Sequence, residues 1–147
     1  MVVIRNCLNA LGDGGILLVT FDTNTDPAAS LKAYTTEPCS KLLLNALVMA
    51  NAKYGANFDL DQFKHVSIYN AENKTVYHYV EAQSPQVVKV DSKEYAFETG
   101  ERVLILHCFK RSVEEVVGYA KIAGGVVKKT DFDQQGFLCL AWIEKET

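Results

Sequence analysis

The sequence has little of what marks several large classes of protein. Among its 147 residues, 15 are Lys or Arg and 18 are Asp or Glu, so the formal net charge is −3. That balance gives no long-range positive field, which argues against nucleic acid as the main partner. No apolar run approaches the roughly 18–20 residues that a membrane-spanning helix needs, and no secretory signal sequence is visible. We therefore expect a cytoplasmic protein with neither nucleic acid nor membrane as a partner.

Cysteine and histidine are also scarce and scattered. The residues concerned are Cys7, Cys39, Cys108, Cys139, His65, His78 and His107. No Cys-x-x-Cys pair occurs, and the histidines lack the spacing that is typical of zinc ligands. We predict no metal site, and we interpret the cysteines as reduced thiols of a protein core.

What remains is an ordinary globular composition, with 48% hydrophobic and 22% charged residues, at about the length of one domain. Residues 2–11 favour a helix that ends at Gly12. The continuous apolar run Ile16–Phe21 predicts a central strand of parallel type, buried on both faces. Asp22 follows at its carboxyl end, where open α/β sheets bind their ligands, so Asp22 is a candidate ligand-binding residue.

Two helices are expected next. Pro27 opens one over residues 28–34, and a second begins near Pro38 or Ser40 and ends before Gly55. The second helix is apolar nearly all round, so we expect it to be buried. Asn45 interrupts it, and this residue is either a surface amide or an amide that faces a ligand.

From residue 64 onward the hydrophobic pattern alternates, which predicts antiparallel strands. Expected strands cover residues 64–69, 75–80, 86–90, 95–97, 101–109, 126–132 and 137–144. The segment Ser112-Val-Glu-Glu115 is a capping box that begins a helix ending near Gly124. The fold class is therefore α/β: the two ends of the chain form part of one sheet, and an α+β lobe is inserted between them.

Several short motifs fall in one order with nearly equal gaps. They are Gly14-Gly-Ile-Leu-Leu-Val19, Asp22, Asp26-Pro27, Leu31-Lys-Ala-Tyr34, Asn45, Tyr54-Gly-Ala-Asn-Phe58-Asp59, Phe63-Lys-His65, Ala71-Glu72, Gly100-Glu101 and Lys110. Together they resemble the histidine-specific, S-adenosylmethionine-dependent methyltransferases of ergothioneine biosynthesis. The resemblance covers nearly the whole chain but only the C-terminal half or so of that family.

The resemblance implies a two-lobed enzyme. Residues 1–25 and 110–147 would belong to a Rossmann-like lobe that binds the donor, and residues 26–109 to an α+β lobe that binds the substrate. The implied reaction transfers a methyl group from S-adenosylmethionine to an α-amine, and the protein aligns the unprotonated amine with the donor.

The donor-binding loop of the family has no match here, because the cluster Gly12–Gly15 precedes a strand, whereas such a loop follows one. We expect this chain alone to bind the donor poorly and to be inactive. It is then a fragment, one half of a split enzyme, or a decayed copy. The alternative is a catalytically inert α+β module that binds or regulates a partner.

The resemblance also implies roles for individual residues. Tyr34 matches a tyrosine that holds the amino-acid end of the substrate, whereas Leu106 and Cys108 replace an acidic residue and a serine that hold the imidazole. An apolar or aromatic amine would therefore suit this chain better than histidine. Asn45 is a further substrate candidate, and Asp22 is the candidate contact to the donor.

Expected partners are a small amine or amino acid and, for the missing strands of the sheet, an upstream half or a second copy. The second expectation arises because the strand at Ile16–Phe21 would have an unpaired edge.

Overall fold

The computed structural model describes residues 2–12 and 14–146, which divide into two compact units. Unit 1 comprises Met1–Thr25 and Phe109–Thr147, and unit 2 comprises Asp26–Cys108. The sequence places the first boundary after residue 25, as the two units do. It places the second boundary after residue 109, one residue later than the boundary between the units. In the described part, both sheets of unit 2 and the sheet of unit 1 have antiparallel pairings, and four α-helices accompany them.

Unit 1 packs two helices against a three-stranded sheet. Its elements are α1 (Val2–Ala10), β1 (Ile16–Asp22), α4 (Val113–Ile122), β7 (Gly125–Phe132) and β8 (Leu138–Lys145). The strand order is β1-β8-β7, and β8 is antiparallel to both neighbours. The core contains Leu8 of α1, Val116 of α4 and Ile143 of β8. Gly125 lets α1 approach closely, because a Cβ there would lie 2.7 Å from Leu8 Cδ1.

The prediction of a central strand buried on both faces at Ile16–Phe21 is wrong. β1 is an outer strand of its sheet and is antiparallel to β8 over its whole length. Leu17 and Val19 pack against the core, whereas Ile16 and Leu18 are about half exposed. The run is continuously apolar in sequence, but elements of unit 1 cover only one of its faces.

Unit 2 packs two helices on a sheet and adds a separate hairpin. Its elements are α2 (Pro27–Tyr34), α3 (Glu37–Tyr54), a 3₁₀ turn (Leu60–Gln62), β2 (Phe63–Asn70), β3 (Thr75–Ala82), β4 (Gln86–Val90), β5 (Lys93–Phe97) and β6 (Arg102–Phe109). The sheet order is β2-β3-β6, and β4 pairs with β5. Leu47 of α3 joins Phe63, Val80 and Phe97 in the core.

The prediction of a buried α3 is also wrong. Leu43 and Leu47 are its buried residues, whereas Leu42 is 71% exposed and Val48 is 40% exposed. The described elements of the chain cover one stripe of this helix and leave the rest of its apolar surface open. The interpretation of the cysteines as core thiols holds only for Cys139, which is fully buried, since the other three are half-buried; all four are free.

Local signals in the sequence are confirmed. Asp26 caps α2 by accepting a hydrogen bond from Ala29 N at 2.7 Å, and Pro27 is the first residue of that helix. Gly55 ends α3 with a φ of 59°, a left-handed conformation that glycine adopts without strain. The Ser112–Glu115 capping box begins α4. No helix in the described residues is both long and apolar enough to cross a membrane.

Candidate functional site

A group of mutually hydrogen-bonded polar side chains in unit 2 lies on the β2–β3 hairpin and the start of α3. The hairpin register sets Ser67 of β2 directly opposite His78 of β3. His65 lies two residues before Ser67 and therefore points to the same face of the sheet. With Ser40 of α3, these residues form what we call the histidine cluster: Ser40, His65, Ser67 and His78.

Three atoms of the histidine cluster meet at hydrogen-bonding distance from one another. Ser67 Oγ lies 2.9 Å from His65 Nε2 and 3.0 Å from His78 Nδ1, and the two ring nitrogens are 3.2 Å apart. Ser40 Oγ lies 3.1 Å from the other nitrogen of His65, Nδ1. His65 is thus held at both ring nitrogens, which fixes the plane of its imidazole.

Burial disfavours a positive charge on His65. It lowers the pKa of His65 below its usual value, because an imidazolium loses hydration there. His78 is 1% exposed. Burial therefore favours the neutral form of His65, in which one ring nitrogen donates and the other accepts.

Tyr34 is the sequence-predicted site residue that reaches this cluster. It is the last residue of α2, and its ring packs edge-on against the His78 ring with 4.7 Å between centroids. The contact is of the T-shaped kind that aromatic pairs prefer.

The other predicted substrate residues lie outside the hydrogen bonds of the cluster. Asn45 is exposed on α3. Leu106 is 46% exposed on β6. Cys108 is half-buried. Burial and the nearby Cys108 both raise the pKa of the Cys39 thiol, and Cys39 precedes Ser40 in the chain. Tyr34 is thus the predicted site residue with a direct ring contact to the cluster.

Asp22, the predicted donor contact, is engaged within unit 1. One oxygen of its carboxylate accepts a hydrogen bond from Lys110 Nζ, and the other accepts one from Asn24 N at 2.8 Å. The side chain of Lys110 is 1% exposed and that of Asp22 is 34% exposed. The ion pair therefore offsets the cost of burying an ammonium group.

These residues fit an S-adenosylmethionine site only in part. A contact to the donor at Asp22 would use the remaining lone pairs of a carboxylate that already accepts two hydrogen bonds. The glycine turn before β1 packs on its own segment, with Gly15 N donating to Gly12 O at 3.0 Å. The role of Asp22 in donor binding stays a prediction.

Comparison with known proteins settles the family. The profile described as "Histidine-specific methyltransferase, SAM-dependent" matches residues 2–145. The chain belongs to this methyltransferase family. The resemblance that the motifs indicated is thereby confirmed.

A curated relative shows how much of such an enzyme the chain covers. The chain is 29% identical over 120 residues to the histidine N-alpha-methyltransferase of Mycolicibacterium smegmatis. The match includes 79% of this chain and 37% of the relative. This methyltransferase chain therefore spans little more than a third of that relative's length.

Sequence reasoning missed the histidine cluster of this family member. The hairpin signal was available: a four-residue turn between β2 and β3 places Ser67 opposite His78. The spacing of histidines along the chain tests for metal ligands on a helix or in a tight turn and not for partners across two strands.

The ion pair of Asp22 predicts an asymmetry between two variants. Asp22→Asn should destabilise the chain by about 3 kcal/mol, because it removes the carboxylate charge that pairs with the buried ammonium of Lys110. Lys110→Met should cost clearly less, because the partly exposed carboxylate can be hydrated instead. Urea unfolding of both variants and of the double variant measures the difference. Equal costs for the two single variants would contradict this explanation.

The lowered pKa of His65 predicts a loss of stability in acid. The unfolded chain takes up a proton near pH 6.5, whereas folded His65 does so only at lower pH, so its contribution is complete above that value and falls as pH decreases. Between pH 7.5 and 5.5 the wild type should lose more unfolding free energy than His65→Gln. Ser67→Ala, which keeps both imidazoles, should behave as the wild type does. An equal loss in His65→Gln and wild type would show that His65 is not the responsible group.

Proposed function

We propose that the chain is the C-terminal portion of an S-adenosylmethionine-dependent N-methyltransferase that acts on an amino acid or a related small amine. The observation that carries the proposal is the family match over residues 2–145. The match extends through both units, so it supports a role for unit 2 as well as for unit 1.

The sheet of unit 1 supports a Rossmann-like origin. Since β8 is antiparallel to both β1 and β7, these two strands run in the same direction. A closing strand inserted antiparallel between two others is the arrangement we expect at the C-terminal end of a class I methyltransferase sheet. We assign unit 1 to the donor lobe and unit 2 to the substrate lobe.

The donor-binding loop belongs, in this proposal, to the part of the enzyme that the chain does not span. S-adenosylmethionine supplies the methyl group when it is bound to the complete fold. The residues of this chain hold the amine and exclude competing orientations, which is the main contribution a protein makes to such a displacement.

The substrate would be held by Tyr34 at its amino-acid end and would lie against Leu106, with Cys108 and Asn45 as further contacts. Leu106 and Asn45 are exposed and so accessible to a ligand. Leucine in place of a carboxylate removes a charge-assisted hydrogen bond worth about 1.5–3 kcal/mol. We therefore propose an apolar or aromatic side chain for the substrate rather than imidazole.

The partner of unit 1 would be an upstream half of the enzyme or a second copy of the chain. The outer strand β1 has exposed apolar residues at Ile16 and Leu18 and lies at the end of its sheet, where a further strand can pair. The cytoplasmic location stays a prediction.

Calorimetric titration of the chain with S-adenosylhomocysteine tests whether the donor-binding loop lies outside this chain. We expect no measurable heat of binding, because the donor loop lies outside these residues. Micromolar binding would show that the chain carries a complete donor site and would contradict this part of the proposal.

A gain of histidine binding tests the substrate site. The double variant Leu106→Glu/Cys108→Ser should bind L-histidine at least about tenfold more tightly than the wild type, since it restores a charge-assisted hydrogen bond. The matched control is Leu104→Glu/Cys108→Ser, because Leu104 and Leu106 are both 46% exposed on the same strand. If neither variant gains binding, the inert module becomes the better description.

A further inference from the structure

Tyr34 lies on a helix that gives it little support. α2 has eight residues, and Ser30 is its buried residue. The helix ends at Tyr34, and the next backbone N–H, of Thr35, bonds back to Leu31 O. A side chain at the end of so short a helix keeps one orientation only if a neighbouring element holds it.

His78 supplies a rigid neighbour. It lies on β3, the central strand of the β2-β3-β6 sheet, and is 1% exposed. Its Nδ1 is held by Ser67 Oγ at 3.0 Å and faces His65 Nε2 at 3.2 Å. His65 is in turn held by Ser40, so the bonds run from the start of α3 across β2 to β3.

We propose that His78 is the positioning residue of Tyr34, and that the other members of the histidine cluster hold the His78 ring at the angle that Tyr34 requires. The T-shaped contact fixes where the tyrosine ring can lie, and the bonds from Ser67 and His65 fix the imidazole. This inference rests on the proposed function, since it assigns to Tyr34 the amino-acid end of the substrate. It adds a fixed orientation for that tyrosine before the substrate arrives.

The position of Tyr34 can be followed by ¹⁹F NMR of the full chain labelled with 3-fluorotyrosine. The chain has seven tyrosines, and loss of one resonance in Tyr34→Phe identifies the Tyr34 signal. His78→Leu, which removes the ring, should shift or broaden that signal. His78→Phe, which keeps an aromatic ring for the T-shaped contact, should leave it closer to the wild-type position. Val80→Ala removes buried volume two residues along β3 and should leave the Tyr34 signal unchanged.

Titration with L-phenylalanine, read on the same signal, tests the function of that position. Its dissociation constant should rise about tenfold in His78→Leu, the upper range of one aromatic edge contact, and recover at least partly in His78→Phe. An unchanged Tyr34 signal in His78→Leu overturns the positioning role. A displaced signal with unchanged affinity also overturns it. A wild-type signal that does not respond to the amino acid overturns the proposed role of Tyr34 and this inference with it, and the two failures are thus told apart.

Discussion

The ion pair between Lys110 and Asp22 is the constraint on which the arrangement of the chain depends. The chain leaves unit 1 after Thr25 and re-enters it at Phe109. Asp22 lies just before the first crossing and Lys110 just after the second, and Arg111 N donates to Asp22 O at 2.9 Å. The segments that lead to and from unit 2 are therefore tied side by side on unit 1. A long insertion with adjacent ends costs the host fold little chain entropy, because the closure cost grows only slowly with length.

This constraint explains why two units can fold with separate cores. Leu8 and Ile143 belong to one core, and Leu47 and Val80 to the other. Each core takes its residues from its own unit. The buried ammonium group of Lys110 lies at the crossing, and the carboxylate of Asp22 is one of the groups that stabilise it there.

How well the sequence predicts a feature depends on how far apart in sequence the interacting residues lie. Caps and turns depend on residues within one helical turn, so the helix start at Pro27, the helix end at Gly55 and the Ser112–Glu115 box are predicted as they occur. Burial depends on which element covers a face. The apolar runs in β1 and α3 therefore predict full burial wrongly, because within the described residues neither element is covered on both sides. The Lys110–Asp22 pair joins residues 88 apart in sequence. Tyr34 was found through the family resemblance, whereas its support on His78 needed the β2–β3 register.

The charges of unit 2 bear on the substrate that we propose for it. Glu81 is the carboxylate on β3, and it is buried and already shared between Lys64 at 2.7 Å and Arg102 at 2.6 Å. Hydrogen bonds from these two cations lower the pKa of Glu81, so the carboxylate stays ionised and bound to them. The resemblance implies an acidic residue at position 106, and Glu81 cannot take its place without giving up its ion pairs with Lys64 and Arg102. Burial favours the neutral form of His65. A substrate with a cationic side chain would thus find no free counter-charge in these groups, whereas an apolar side chain would need none. This is the physical reason to expect that leucine at position 106 favours a different substrate and does not only weaken binding.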